Sequence, residues 1–112
     1  MNYHVHVYWN TPPARIWALH LRSRLRKLGC TIGNPYDTPI GPHPIPMFRA
    51  TYTSENQSVV EDMITAQRNG LSVLLHESIN NDLRDHTEGA RWLGEPVALD
   101  LEWLATNQDQ VN

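Results

Sequence analysis

The start of the chain alternates between β-branched, aromatic and histidine side chains, a pattern that predicts a strand over residues 3–9 (YHVHVYW). Successive side chains of a strand point in opposite directions, so the two faces of this strand differ in character. The apolar face consists of Val5, Val7 and Trp9, whereas the other face carries His4, His6 and Tyr8. We expect the apolar face to pack against helices.

Two amphipathic helices are predicted from apolar residues that recur three and four positions apart. The first begins after Thr11, whose side chain caps it, and ends at Gly29, where a left-handed residue suits a helix terminus. The second follows a capping box formed by Ser54 and Gln57, and residues 69–70 (NG) close it.

Three further segments have the composition of strands: residues 30–33, residues 47–53 and the apolar run of residues 71–76. Residues 34–46 connect the first two of these strands and hold five of the eight prolines, so they form a long, stiffened loop. We call this segment the proline-rich loop. Loops of this length inside compact domains are often functional.

The last third of the chain predicts a third helix that Asn80 or Asn81 caps and that extends to about Leu93. Gly94 and a following proline stop this helix. An additional edge strand is predicted over residues 97–101.

The predicted order of strand, helix, strand, strand, helix, strand is that of the ferredoxin-like α+β fold, in which two helices pack on one face of an antiparallel sheet. Residues 1–104 then form a single domain, followed by a polar tail over residues 105–112. The face that carries His4, His6 and Tyr8 is named the histidine face. It is open to solvent, covered by the proline-rich loop or shared with a second subunit.

Composition and charge remove several classes of function. Nine Lys+Arg against twelve Asp+Glu give a net charge of −3, which leaves no basic surplus for binding nucleic acid. No segment approaches the roughly 20 apolar residues that cross a bilayer, and the first eight residues lack the order of a signal peptide. Cys30 is the only cysteine, which excludes an internal disulfide and a multi-cysteine metal site. We therefore expect a cytoplasmic protein.

Six histidines in 112 residues are the main chemical feature of the sequence. His6 lies in the middle of the first strand, on the histidine face. His76 ends the strand that pairs with the first one in this fold, and strand alternation allows it onto the same face. His43 is presented between two prolines, which fix the backbone on either side. His86 lies near the start of the predicted third helix.

A compact fold that brings three or four of these histidines together favours a metal site, because neutral imidazole binds zinc, iron, copper and nickel. The spacing matches no diagnostic metal motif. His43 is otherwise a turn residue, and His86 is otherwise a helix residue that interacts with a neighbouring aspartate. We expect His4 to be exposed and His20 to be solvated on the first helix.

Five ordered motifs resemble the DOPA 4,5-dioxygenase family, a group of small extradiol ring-opening enzymes. They are residues 6–9 (HVYW), 39–44 (PIGPHP), 70–76 (GLSVLLH), 85–87 (DHT) and 92–96 (WLGEP). The resemblance runs from about Tyr3 to Asp100. It implies a ferredoxin-like domain, often dimeric, with a histidine-rich Fe(II) site that uses O2 to open a catechol ring beside its two hydroxyl groups. Residues 77–81 depart from the family's usual proline and Thr-Gly-like turn, which bears on substrate preference.

The family's histidines fall on His6, His43, His76 and His86 of this sequence. An extradiol site usually binds its metal through two histidines and a carboxylate. Glu77, Asp82 and Asp85 lie near these histidines in the sequence, but none has a clear place as a ligand. Three histidines would bind the metal instead. From the resemblance we assign His6, His43 and His76 to the metal. We expect Fe(II) there, although zinc or another divalent metal would occupy the same site in a crystal. His86 is assigned as the acid/base, because its pKa range suits proton transfer near neutrality.

Two further residues are candidates for binding the substrate. Tyr8 would supply part of an aromatic wall for a flat ring, with core packing as the alternative. Arg49, in the third strand, would pair with the carboxylate of a DOPA-like catechol, with a solvated surface charge as the alternative.

Three functions stay open on the sequence. The first is the catechol dioxygenase, and the second is a dimeric ferredoxin-like module that binds a metal or a small molecule without turnover. The third is a purely structural interaction domain. We expect a homodimer, because Tyr8 and Leu74 would form an exposed apolar patch if no element covered the histidine face.

Overall fold

The computed structural model describes residues 1–107. The elements in chain order are β1 (Asn2–Tyr8), α1 (Pro12–Lys27), β2 (Thr31–Ile32), β3 (Met47–Thr53), α2 (Gln57–Gln67), β4 (Val73–Glu77), α3 (Asp82–Asp85), β5 (Arg91–Leu93) and α4 (Leu101–Thr106). The five strands form one antiparallel sheet in the order β2-β3-β1-β4-β5. This architecture confirms the predicted ferredoxin-like α+β fold.

The two main helices form where the sequence predicts them, although one cap differs. The Thr11 side chain accepts a hydrogen bond from the Ala14 backbone N–H at 3.2 Å and caps α1 as predicted. The predicted capping box of Ser54 and Gln57 is wrong, because Asn56 occupies the cap position of α2. The Asn56 side chain instead joins neighbouring segments: its oxygen accepts from the Thr53 N–H and its amide donates to the Leu28 carbonyl.

The C-terminal third differs most from the prediction. Helix α3 ends at Asp85, because the Gly89 N–H donates to the Arg84 carbonyl at 2.8 Å and the chain turns back. The returning segment pairs with the free edge of β4 and becomes the edge strand β5, so the strand predicted over residues 97–101 is wrong. Helix α4 extends through Thr106, two residues into the segment predicted as a tail. The rest of that predicted tail, residues 108–112, lies outside the described residues.

Both faces of the sheet are buried within one chain. Helices α1 and α2 cover the face of Val5 and Val7, as predicted. A second apolar cluster on the histidine face is built around Tyr8, Met47 and Leu74. Partly buried apolar residues of the proline-rich loop and the C-terminal segment pack against it: Ile40, Ile45, Ala90, Trp92, Val97 and Leu99.

The cover of the histidine face changes the argument for a dimer. Tyr8 and Leu74 are only 1% and 0% exposed in the single chain. The apolar patch is therefore buried within one chain, and it gives no ground for a dimer. Of the three alternatives for this face, coverage by the proline-rich loop is the one observed, with residues 90–104 as a second part of the cover.

The proline-rich loop is anchored to α4. The Asp100 N–H donates to the Pro42 carbonyl at 2.8 Å. Gly41 has a φ of +55°, and a side chain built there would meet the Trp103 ring at 3.5 Å. Ile40 and His43 exchange two backbone hydrogen bonds, which close the tip of the loop. These contacts fix His43 against the sheet.

No helix among residues 1–107 is long and apolar enough to cross a membrane. The predicted cytoplasmic location stays a prediction.

Candidate metal centre

Five histidines lie together on the histidine face, where the loop and the C-terminal segment bury them. We call them the histidine cluster; their exposed fractions are 9% for His4, 0% for His6, 1% for His43, 2% for His76 and 3% for His86. His4 is buried, contrary to our expectation. His20 is exposed on α1, as expected, and its ring lies against that of Trp17.

The register of the sheet brings His6 and His76 together. The antiparallel pairing of β1 with β4 sets His76 directly opposite His4 and His6 opposite Leu74, so all of these side chains share one face. The Nε2 atoms of His6 and His76 are 3.1 Å apart, within hydrogen-bonding distance. The prediction that His76 joins His6 on the histidine face is confirmed.

His43 is held in place by Tyr8. The Tyr8 hydroxyl lies 2.8 Å from His43 Nδ1, and the rings of His43 and His6 have centroids 4.7 Å apart. Burial raises the pKa of Tyr8, so its hydroxyl stays protonated at neutral pH. Tyr8 is buried, in contact with His43, which agrees with the core packing named as its alternative role. Its substrate-binding role stays a prediction.

His86 is held in place by the backbone of α3. Its Nδ1 lies 2.7 Å from the Asp82 carbonyl oxygen and must donate to it, which leaves the lone pair on Nε2. His86 follows the last turn of α3 and not its start, and its Nδ1 bonds to the backbone of Asp82 and not to an aspartate side chain. The Asp85 carboxylate lies instead 4.0 Å from His76 Nδ1.

Two groups of histidines within the described residues have ring nitrogens close enough to share a metal ion. The groups are His6 with His43 and His86, and His6 with His4 and His76; within each, the ligand atoms lie within 4.8 Å of one another. His6 belongs to both because it stands between the loop and β4. The predicted set of His6, His43 and His76 takes members from both groups, so the structure does not gather it as one. The ligand role of each residue stays a prediction.

The first of these groups has ring nitrogens that suit a metal ion. His6 Nδ1, His43 Nε2 and His86 Nε2 are all buried and have no hydrogen-bond partner within residues 1–107. Buried polar atoms are nearly always satisfied, so three such atoms in one group indicate a missing ligand. A divalent metal that accepts imidazole lone pairs fits this set of donors.

Burial keeps the clustered histidines neutral, which is the form that binds metals. Desolvation, together with the smaller effect of the neighbouring His86, lowers the pKa of His43 to about 3 and that of His76 to about 3. The pKa values of His6 and His86 are also lowered, chiefly by burial. Their lone pairs are therefore available at neutral pH without competition from protons.

Acidic side chains lie beside these neutral donors. Asp82 and Asp85 are each 1% exposed and come from the single turn that precedes His86. A buried carboxylate is stabilised by a nearby cation. The surroundings of the histidine cluster are therefore suited to a positively charged ion.

Arg49 lies on the histidine face, at the position that its predicted role requires. The pairing of β1 with β3 sets Arg49 directly opposite His6. Its positive charge contributes to lowering the pKa values of both His43 and His86, so the guanidinium is close to these rings. Its contact with a substrate stays a prediction.

An open groove of about 380 Å³ adjoins the cluster at His86. Its other lining residues are Thr87, Trp92, Val97, Ala98, Leu99 and Leu101. Sequence reasoning missed this groove, because it placed residues 97–101 in a strand. The apolar pattern of that segment was visible, but its position over the histidine face was not.

Fold and site together define a class: a ferredoxin-like domain with a buried, histidine-rich centre suited to a divalent metal. Sequence comparison makes this more specific. The chain belongs to the DOPA 4,5-dioxygenase family, whose sequence model matches residues 3–103.

Individual relatives agree with this membership. The chain is 29% identical to DOPA 4,5-dioxygenase of Amanita muscaria, over 98% of this chain and 51% of that protein. It is 35% identical to an uncharacterised 21.2 kDa protein of Botryotinia fuckeliana, over 67% of this chain and 45% of that protein. The chain thus spans about half the length of these curated relatives.

A crystal structure has the same fold. It is that of a proposed dioxygenase from Nostoc punctiforme PCC 73102, with 30% identity and a TM-score of 0.89. The match covers 94% of this chain and 91% of that one.

Proposed function

We propose that this chain is a non-haem Fe(II) dioxygenase that opens the ring of a catechol beside its two hydroxyl groups, with O2 as the second substrate. The observation that carries the proposal is the group of three buried, neutral histidines, each with one ring nitrogen that has no hydrogen-bond partner within residues 1–107. Membership of the DOPA 4,5-dioxygenase family supports the reaction class.

His6, His43 and His86 are the residues that would hold the metal. A ligand role for His43 Nε2 requires the proton on Nδ1, which then donates to the Tyr8 hydroxyl oxygen. His86 Nδ1 already donates to the Asp82 carbonyl. Such contacts to the second ring nitrogen are typical of metal-bound histidine, because they fix both tautomer and orientation.

His76 would fix the tautomer of His6 in the same way. If His76 Nδ1 donates to the Glu77 carbonyl, 3.2 Å away, then its Nε2 accepts from His6 Nε2–H. The lone pair of His6 then lies on Nδ1, the atom that has no hydrogen-bond partner in the described part of the chain. This assignment moves His86 from the acid/base role to the metal and moves His76 from the metal to a contact that supports His6. The original arrangement, with His86 as the acid/base, is the alternative, and the variants described in the Discussion separate the two.

When bound, Fe(II) would supply a centre that takes both catechol oxygens and activates O2. The chain's own part is to position the substrate and to exclude water. Arg49, opposite His6, would pair with an anionic group on the substrate. Tyr8 would act through His43 and not by direct contact.

The second candidate function is a module that binds a metal or a small molecule without turnover. The deep burial of the histidine cluster favours it, because His6 and His43 are at most 1% exposed. A structural metal site is closed to solvent in this way, whereas a catalytic one keeps a position open.

One experiment separates these two functions. The protein is loaded with Fe(II) without oxygen, mixed with catechol and then exposed to O2. We expect oxygen uptake and a yellow ring-opened product in proportion to bound iron. Stoichiometric iron without product from a panel of substituted catechols would favour the binding module.

The homodimer also stays a proposal, now on different grounds. Large apolar side chains are exposed on the helices that cover the other face: Ile16 by 58%, Trp17 by 50% and Val59 by 51%. Light scattering should give twice the chain mass of 12.9 kDa. A mass of one chain at every concentration would contradict it.

A further inference from the structure

The groove at His86 has a chemical character that differs from the rest of the site. Its wall residues Thr87, Trp92, Val97, Ala98, Leu99 and Leu101 carry no charge. Arg49 is not among the residues that line it. His86 is among the residues that line the groove, and its Nε2 is buried without a hydrogen-bond partner within residues 1–107. The groove therefore adjoins one of the proposed metal ligands along an uncharged surface.

The walls of the groove are held by the fold. Trp92 pairs with Leu74 across β5 and β4, and its ring lies 5.8 Å from that of Tyr8. Val97 and Leu99 pack against the cluster around Tyr8. Leu101 begins α4, which the Asp100 side chain caps by accepting from the Trp103 N–H at 2.9 Å. These contacts preserve the shape of the groove.

The groove leaves apolar surface in contact with water. Leu101 is 50% exposed although it lies beside other apolar side chains. A ligand that covered this surface would gain binding free energy from the water it displaced. The volume of about 380 Å³ falls within the range of small-molecule sites, which begins at roughly 300 Å³.

The lining restricts which part of a substrate can occupy the groove. An ionised carboxylate there would lose water without gaining a charged partner, which is unfavourable. An alkyl or aryl group would meet mainly apolar and aromatic side chains, since Thr87 is the one uncharged polar residue among the walls. An anionic group of the substrate would instead pair with Arg49, which lies on the sheet opposite His6.

We propose that the groove binds an uncharged alkyl or aryl substituent of the substrate, while the catechol ring lies at its inner end beside His86. The proposal rests on the proposed function. It makes the preferred substrates catechols with an apolar substituent, and it makes Leu101 a specificity-determining residue.

The test measures binding by the Fe(II)-loaded protein without oxygen. Calorimetry gives the affinity for catechol, 4-methylcatechol, 4-ethylcatechol and 4-propylcatechol, with 3,4-dihydroxyphenylacetate as the anionic comparison. We expect two- to fourfold tighter binding for each added carbon, since complete burial of a methylene gives about fourfold. Any tighter binding of the anionic compound than of catechol itself should come from Arg49 and be lost in Arg49→Gln.

Leu101→Lys is the variant that tests the groove, because it adds a charge at a half-exposed position. We expect it to remove the gain with chain length and to leave the affinity for unsubstituted catechol within twofold. Val59→Lys is the matched control, since Val59 is 51% exposed on α2, on the other side of the sheet. This control should keep the gain.

The outcomes distinguish failure of the groove proposal from failure of the proposed dioxygenase function. Affinities that do not change with chain length, or a Leu101→Lys variant that keeps the gain, would overturn the groove proposal even if ring-opened product forms. A gain with chain length without product on exposure to O2 would support the groove and count against the dioxygenase. Failure of every catechol to bind would overturn both.

Discussion

The two faces of the sheet are buried to the same degree but for different reasons. On the helix-covered face, Val5 and Val7 are fully buried against α1 and α2. On the histidine face, His6 is also 0% exposed, yet one of its ring nitrogens has no hydrogen-bond partner within the described part of the chain. Burial of an aliphatic side chain stabilises a fold by itself, whereas burial of an unsatisfied imidazole nitrogen destabilises it. The first face therefore serves stability, and the second is suited to binding a ligand.

The largest expected effect comes from the residue shared by both histidine groups. His6→Ala should abolish stoichiometric Fe(II) binding and ring opening, while the midpoint of thermal unfolding changes little. The side chain removed is polar and lies outside the helix-side core. Metal analysis after gel filtration checks this, with His20→Ala on the exposed surface as the control. Full metal occupancy in His6→Ala would refute a ligand role for His6.

The pair His86→Ala and His76→Ala sharpens the assignment within the histidine face. We expect His86→Ala to lose the metal together with activity. His76→Ala should keep the metal with about 10- to 100-fold weaker affinity, because it removes a support and not a ligand. If His86→Ala instead keeps the metal and loses turnover by about 10²–10⁴-fold, His86 is the acid/base.

A substitution in the helix-side core should have the opposite effects, lowering stability without changing metal binding. Ile64→Ala should lower the free energy of unfolding by about 2–5 kcal/mol, because it removes a fully buried side chain and leaves a cavity. Metal stoichiometry at a temperature where the variant is folded should not change. Denaturant unfolding and metal analysis on the same sample test this. Loss of metal from the folded variant would contradict the separation of the two faces.

The metal-free protein should lose stability as the pH falls from about 6.5 towards 3. The pKa values of His43 and His76 are about 3 in the folded chain and near 6.5 when unfolded, so the unfolded chain binds more protons in this window. Each of these histidines contributes up to about 1.4 kcal/mol per pH unit. Urea unfolding at pH 7, 6, 5 and 4 measures the slope, and a His43→Gln variant should reduce it. A flat profile would show that these histidines are not buried as neutral groups.

The smallest expected effect compares two buried tyrosines on opposite faces. The Tyr8 hydroxyl lies 2.8 Å from His43 Nδ1, and the Tyr52 hydroxyl donates to Glu61 at 2.7 Å. Tyr8→Phe should weaken metal binding by about tenfold, because it removes the contact that orients His43. Tyr52→Phe should leave metal affinity unchanged. Equal effects of the two variants would mean that the Tyr8 contact has no special role.

Sequence patterns correctly predicted the elements whose structure depends on residues close together in the chain. The capped start of α1 and the strand Met47–Thr53 lie where the sequence placed them. The alternation in β1 correctly assigned Val5 and His6 to opposite faces. Predictions failed where distant segments competed. Residues Arg91–Leu93 continue a helical pattern locally, but they pair with the free edge of β4.

The sequence by itself determined the strand and helix order as far as β4, the two-faced character of β1 and the presence of histidines on one of those faces. These properties follow from side-chain periodicity, which is local. Only the tertiary structure decided that His4 is buried, that Tyr8 bonds to His43 and that the Asp82 carbonyl orients His86. It also decided that His6 stands between two groups of histidines. The physical reason is that these contacts join residues up to 80 positions apart, as His6 and His86 are. Their distances depend on strand register and on how the loop and the C-terminal segment fold over the sheet.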